Sequence, residues 1–273
     1  MTKTILILGA SGSVGTAVFE WISRCEDMKV FGTYFSANVE NDTSMIRFSV
    51  ESPDDICSVL RQVRPDIVVS SLRGDFEKQL KAHEIAAKYL MNNNGKLLFL
   101  STANVFDGSL DRPHYETDDP ISVSDYGKFK IQCEDMLLDM IGSQTAILRL
   151  PFVWGRSSPR LQAVKDGCKT GRLEVYSDFS CNHVSDMQIA DFIEWIIRED
   201  KSGIFHVGTS DVTDYTWFIE RLTEGMGLEQ PELVAREASG VMAVLSRRDD
   251  VPDYLKWDSE RLIGYLCGSE GVS

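Results

Sequence analysis

Short apolar runs alternate with longer stretches of helical periodicity along most of the chain. The runs are Thr4–Leu8, Lys29–Tyr34, Met45–Phe48, Ile67–Ser71, Lys96–Ser101, Thr145–Leu150 and Gly203–Val207. Several are apolar on consecutive positions, as strands covered on both faces are. Between them, Val14–Arg24, Asp54–Val63, Phe76–Met91, Tyr126–Ile141 and Asp186–Arg198 repeat apolar residues at helical spacing. Strands separated by helices predict an α/β fold, a doubly wound parallel sheet with right-handed crossovers. After Leu150 the pattern breaks. Pro151, Gly155, Pro159, Gly167 and Gly171 interrupt the next stretch, and the end beyond Val207 reads as helical and loop-rich. Gly268–Ser273 reads as a loose tail.

Composition narrows the partners. The 273 residues are 43% hydrophobic and 26% charged, ordinary for a globular protein. Lys and Arg total 28 against 42 Asp and Glu, a formal charge of −14. A chain this acidic repels nucleic-acid polymers and anionic membrane surfaces, and no Lys/Arg cluster supplies a local basic groove. Cys25, Cys57, Cys133, Cys168, Cys181 and Cys267 form no C-x-x-C pair and no zinc spacing, so no metal site is expected. Scattered thiols and the lack of a signal-like segment predict a cytoplasmic protein.

Candidate chemistry begins at the first strand. Gly9-Ala10-Ser11-Gly12-Ser13-Val14-Gly15 follows it and opens a helix. A glycine at the first position permits the tight turn. One at the second lets backbone approach a pyrophosphate, and one at the third lets helix and strand pack closely. The helix N-terminus then favours phosphate. This predicts a Rossmann dinucleotide-binding domain over 1–150, also receiving about 184–207, and a substrate-binding lobe over 151–273 interleaved with the sheet. The second strand ends at Thr33-Tyr34-Phe35-Ser36, without the carboxylate of an NAD site or the arginine of an NADP site. Either cofactor is admitted, with the missing carboxylate leaning toward NADP. Tyr34 and Ser36 are the candidate contacts to the adenosine ribose or a 2′-phosphate.

Thr102 closes the strand Lys96–Ser101, and Tyr126 and Lys130 lie four apart on one helical face. A free phenol titrates near ~10 and is a poor acid at neutral pH, which a neighbouring ammonium corrects. The same ammonium can hold the ribose of a nicotinamide cofactor, and a threonine hydroxyl can orient a substrate oxygen.

These motifs resemble the extended short-chain dehydrogenase/reductase superfamily. Ser101-Thr102-Ala103-Asn104-Val105-Phe106-Asp107-Gly108 is similar to the S-T-D-Y-V-F-D-G segment of the dTDP-4-dehydrorhamnose reductase family. So are Tyr126–Lys130 with Glu134, and Arg149–Gly155. The resemblance implies a sugar-nucleotide reductase with Thr102, Tyr126 and Lys130 catalytic. It assigns Gly9, Ser11, Gly12, Ser13, Val14 and Gly15 to cofactor phosphates, places Ser71 and Leu72 in the cofactor groove, and sets Pro151 near the nicotinamide. Asn104, Val105, Phe106 and Phe152 would face a nucleotide-sugar substrate, with His183 at the same cleft. Arg73 is a candidate anion contact.

Two departures stand out. Ala103-Asn104 replaces the family's Asp-Tyr, and Ser70-Ser71-Leu72 replaces its Asn-Ala-Ala, so rhamnose itself is not implied as the substrate. Epimerisation or dehydration of a sugar nucleotide is an alternative on this scaffold, as is a non-catalytic dinucleotide-sensing subunit. A homodimer is left open. His83 and His206 read as packing residues.

Overall fold

A computed structural model describes residues 2–36 and 42–268. Of the expected tail, only Gly268 falls within the described residues, as the left-handed cap of the final helix. In chain order the first elements are β1 (Lys3–Leu8), α1 (Ser13–Ile22), β2 (Met28–Tyr34), β3 (Met45–Arg47), α2 (Ile56–Val63) and β4 (Ile67–Ser70). Then come α3 (Phe76–Asn93), β5 (Lys96–Thr102), α4 (Asp125–Ile141), β6 (Thr145–Leu150), β7 (Phe152–Trp154), α5 (Pro159–Thr170) and β8 (Arg172–Cys181). The remainder is β9 (His183–Ser185), α6 (Asp186–Arg198), β10 (Gly203–His206), β11 (Thr213–Asp214), α7 (Tyr215–Gly225), β12 (Glu232–Met242) and α8 (Ser259–Cys267). Each strand and helix read from the apolar pattern is present, with ends within two residues of those expected.

Seven strands form one sheet in the order β10-β6-β5-β4-β1-β2-β3. The pairs β1–β2, β2–β3, β1–β4 and β4–β5 are parallel. Strand order reverses direction between β1 and β4, which opens a crevice at their carboxyl ends, where doubly wound sheets bind ligands. The central strands are buried on both faces, which is why their sequences are continuously apolar rather than alternating.

The chain divides into two compact units. The first comprises Met1–Ser101, Lys128–Leu148 and Ile189–Phe205. One of its cores joins Leu8, Val68, Leu97 and Phe99 of the sheet to Leu90 of α3 and Leu137 of α4. His83 is buried there, its Nε2 paired with Ser70 Oγ at 2.6 Å, and burial pushes its pKa down to about 3. The second unit comprises Thr102–Gly127, Arg149–Gln188 and His206–Ser273. Its three-stranded sheet runs β11-β8-β12, antiparallel at β11–β8 and parallel at β8–β12. Trp154, Leu161, Phe218, Leu222 and Leu262 pack its core. His206 is buried there, its Nδ1 3.2 Å from the carbonyl oxygen of His114 and 3.1 Å from that of Leu245.

Two features of this unit correct the sequence expectation. The stretch broken by Pro159, Gly167 and Gly171 contains α5. Pro159 opens the helix, Ser158 Oγ accepts from Leu161 N–H at 3.2 Å, and Gly171 closes it in the left-handed conformation. Proline at the first turn and glycine past the last are helix boundary signals rather than breakers. The end expected to be helical and loop-rich contains β12. Its pairing with β8 slips between Glu237 and Gly240, which breaks the alternation that marks a strand.

Candidate active site

The loop after β1 shows a different physical reason for each glycine. Gly9 has φ +80°, and a side chain there would meet Ser71 O at 2.8 Å. A Cβ on Gly15 would lie 2.2 Å from Gly9 O, so α1 packs directly on the loop. Gly12 is exposed, and its nearest neighbour to a Cβ is Gly9 O at 3.4 Å. Gly12 also begins α1 without a side-chain cap, and the first turn carries no acidic residue. Ser11 and Ser13 are exposed beside it and Val14 is half-buried. An exposed helix start with no competing carboxylate suits an anion such as a pyrophosphate.

The neighbouring strand ends frame this loop. Gly9 N–H donates to Thr33 Oγ1 of β2 at 2.9 Å, and Ser71 Oγ donates to the carbonyls of Leu8 and Gly9 at 3.0 and 3.2 Å. Ser71 thus ties the turn together from the end of β4. Leu72 packs on the sheet core, while Arg73 is exposed. Tyr34, at the end of β2, is half-buried and in register with Arg47 of β3, which is exposed. Arg47 is a cation beside the end of β2, which carries none of its own; only strand pairing places it there.

β5 ends at Thr102, 8% exposed. Its hydroxyl donates to Asn104 Oδ1 at 2.9 Å and accepts from Asn104 N–H at 3.2 Å. Asn104 therefore orients the hydroxyl. Tyr126, 41% exposed, stands in the first turn of α4, and Lys130 follows one turn on. Lys130 is 6% exposed. Its Nζ donates to Leu100 O at 2.9 Å and sits 4.5 Å from the centre of the Phe99 ring. Burial lowers its pKa to about 8, with the Arg73 charge acting in the same direction and Cys133 and Glu134 opposing.

Glu134, a further turn along α4, is 1% exposed and accepts a hydrogen bond from Ser101 Oγ. A buried carboxylate at this place links the strand that ends in Thr102 to the helix that carries Lys130. Its spacing from Lys130 was visible in the sequence. Its bond to Ser101 was not, because that pairing is made across the fold.

The other expected substrate residues are more enclosed. Val105 and Phe106 are buried, and Phe106 stacks on His114 with ring centres 4.2 Å apart. His183 is buried, accepts from Trp154 Nε1 at 3.1 Å and stacks on Phe218; burial lowers its pKa to about 3, so it is neutral. Pro151 packs against Gly208. Phe152 is half-buried, with the Arg160 guanidinium 4.8 Å from its ring centre. Among the described residues, no group of three or more His, Cys, Asp or Glu side chains could hold a metal ion. No helix there is long and apolar enough to cross a membrane.

The chain is similar to known proteins in sequence and in fold. A dTDP-4-keto-6-deoxy-D-glucose reductase of Streptomyces niveus is 25% identical over 244 residues, covering 82% of this chain and 78% of that protein. A dTDP-4-dehydrorhamnose reductase from Yersinia enterocolitica superposes with a TM-score of 0.81 at 18% identity, covering 98% of this chain and 99% of that one. Another, from Bacillus anthracis and in complex with NADP, gives a TM-score of 0.80 at 15% identity, covering 99% of each chain. These structures share the fold. Residues 2–248 match the RmlD substrate binding domain family, and the chain belongs to that family.

Proposed function

We propose that the protein is an NAD(P)-dependent reductase of a keto group on a sugar nucleotide. The observation that carries this reading is the placement of Tyr126 and Lys130 one turn apart on α4, with Thr102 closing β5. The exposed, uncapped start of α1 fits the pyrophosphate of a dinucleotide, and Gly12 leaves room for it. Gly9, Ser11, Gly12, Ser13, Val14 and Gly15 would hold that group, with Ser71, Leu72 and Arg73 alongside. When bound, the reduced nicotinamide supplies the hydride.

The chain's own residues manage the proton. The Tyr126 hydroxyl donates to the keto oxygen as it gains charge. Lys130, a cation in a low-dielectric setting, stabilises the phenolate that remains. The Lys130 ammonium donates to Leu100 O, and the ribose hydroxyls of the cofactor suit the same group. Thr102 would turn its one hydroxyl proton from Asn104 Oδ1 to the keto oxygen to hydrogen-bond it. Of the residues expected to face the substrate, Asn104 and Phe152 are half-buried and would meet it. The relatives support a nucleotide-linked sugar, since the reductases of Streptomyces niveus and Yersinia enterocolitica are named for dTDP-linked substrates.

Arg47, in register with Tyr34, favours NADP over NAD because it offers a cation to a ribose 2′-phosphate. The direct test is isotopic. NADPH deuterated at nicotinamide C4 is incubated with the protein and a dTDP-4-keto-6-deoxy sugar. Deuterium on the sugar carbon is expected. Binding of NADPH without label transfer to any nucleotide-linked keto sugar would overturn the reading.

A further inference from the structure

The aspartate of the Val105-Phe106-Asp107-Gly108 segment has no part in the chemistry described so far, yet its surroundings are densely made. Asp107 Oδ1 accepts from Ser122 Oγ at 2.7 Å, Val123 N–H at 2.7 Å and Ser124 N–H at 3.4 Å. Its Oδ2 accepts from Ser124 Oγ. Ser124 Oγ in turn accepts from Gly127 N–H at 3.1 Å, the bond that caps the N-terminus of α4. Tyr126 sits inside that capped turn. Gly127 shows how closely the turn is seated: a Cβ there would lie 2.1 Å from Ser122 Oγ and 2.3 Å from Asn104 O.

From this chain of contacts we infer that Asp107 is a positioning residue for Tyr126, acting through Ser124 and the first turn of α4. The carboxylate gathers three consecutive residues of the incoming loop and fixes the serine that starts the helix. An acceptor-only group suits a site with four donors converging on it. Burial alone would raise its pKa, but the Ser124 and Ser122 hydroxyls and the Val123 and Ser124 amides outweigh that and hold it below the usual carboxylate range. Asp107 is therefore ionised at neutral pH and remains an acceptor. Loosening the turn would move the phenol while leaving the glycine loop untouched. The inference rests on the reading of Tyr126 as proton donor, so its test must separate the two.

Asp107→Asn keeps the shape and removes the charge; Ser124→Ala removes the cap and guards against a misfolded first variant. Each is compared with wild type and Tyr126→Phe for NADPH-dependent reduction of a dTDP-4-keto-6-deoxy sugar, NADPH affinity, and amide exchange over residues 122–130. In both variants kcat is expected to fall about tenfold or more, as small misplacements of reacting groups do. NADPH affinity and KM should stay within about twofold, and exchange should quicken over residues 122–130 alone. The double variant Asp107→Asn/Tyr126→Phe should be no slower than Tyr126→Phe. Unchanged exchange in that segment, or losses that multiply in the double variant, would overturn the inference. If wild type and Tyr126→Phe turn over equally, the proton-donor reading falls, and the exchange result still decides whether Asp107 sets the turn.

Discussion

Lys130 Nζ donates to Leu100 O at 2.9 Å, so the ammonium of α4 is fastened to backbone two residues before Thr102. The bond holds the cation inside the protein, where burial lowers its pKa to about 8. The charged form prevails below that value and is lost as pH rises through it. NADPH affinity, followed by fluorescence titration, should therefore be level near neutral pH and weaken above about 8. In Lys130→Met it should be weaker throughout and free of this transition.

Glu134 bears on the same transition. Its charge raises the Lys130 pKa against the effect of burial. Glu134→Gln keeps an acceptor for Ser101 but removes that support, so the alkaline limb of the profile should move to lower pH. A profile that keeps the wild-type midpoint would show that Glu134 only packs.

Gly12 and Gly15 should separate binding from folding. A Cβ at residue 15 meets backbone at 2.2 Å, so Gly15→Ala should cost ~1–3 kcal/mol and lower Tm visibly. At residue 12 the nearest contact is an ordinary 3.4 Å and φ is −80°, so Gly12→Ala should keep its Tm. Its methyl stands where a pyrophosphate would approach, and NADPH affinity should fall about tenfold. Thermal melts with and without NADPH compare the two directly.

Arg47→Ala should weaken NADPH binding about tenfold and leave NADH binding unchanged, the signature of a lost charge-assisted contact to the 2′-phosphate. Equal losses for both cofactors would place Arg47 outside phosphate recognition.

Much of this was legible in the chain because burial leaves a plain mark. β4 and β5 are enclosed on both faces and read as unbroken apolar runs. The glycine loop was readable because its geometry is local. What stayed hidden depends on distant pairing. β12 lost its alternation to the slip at Glu237–Gly240, and Arg47 becomes a neighbour of Tyr34 only through strand register. Asp107 and Ser124 meet across a loop whose path sequence spacing does not reveal. The enclosure of Val105, Phe106 and His183 was equally invisible, because an apolar or imidazole side chain looks the same in a cleft and in a core.

The most direct measurement is single-turnover reduction of a dTDP-4-keto-6-deoxy sugar by the NADPH-loaded protein, with wild type beside Tyr126→Phe. Removing one hydroxyl from an exposed position should leave the fold and NADPH affinity intact and slow the chemical step by ~10²–10⁴-fold, the usual worth of a positioned general acid. A Tyr126→Phe protein that reduces the sugar at the wild-type rate would contradict the account.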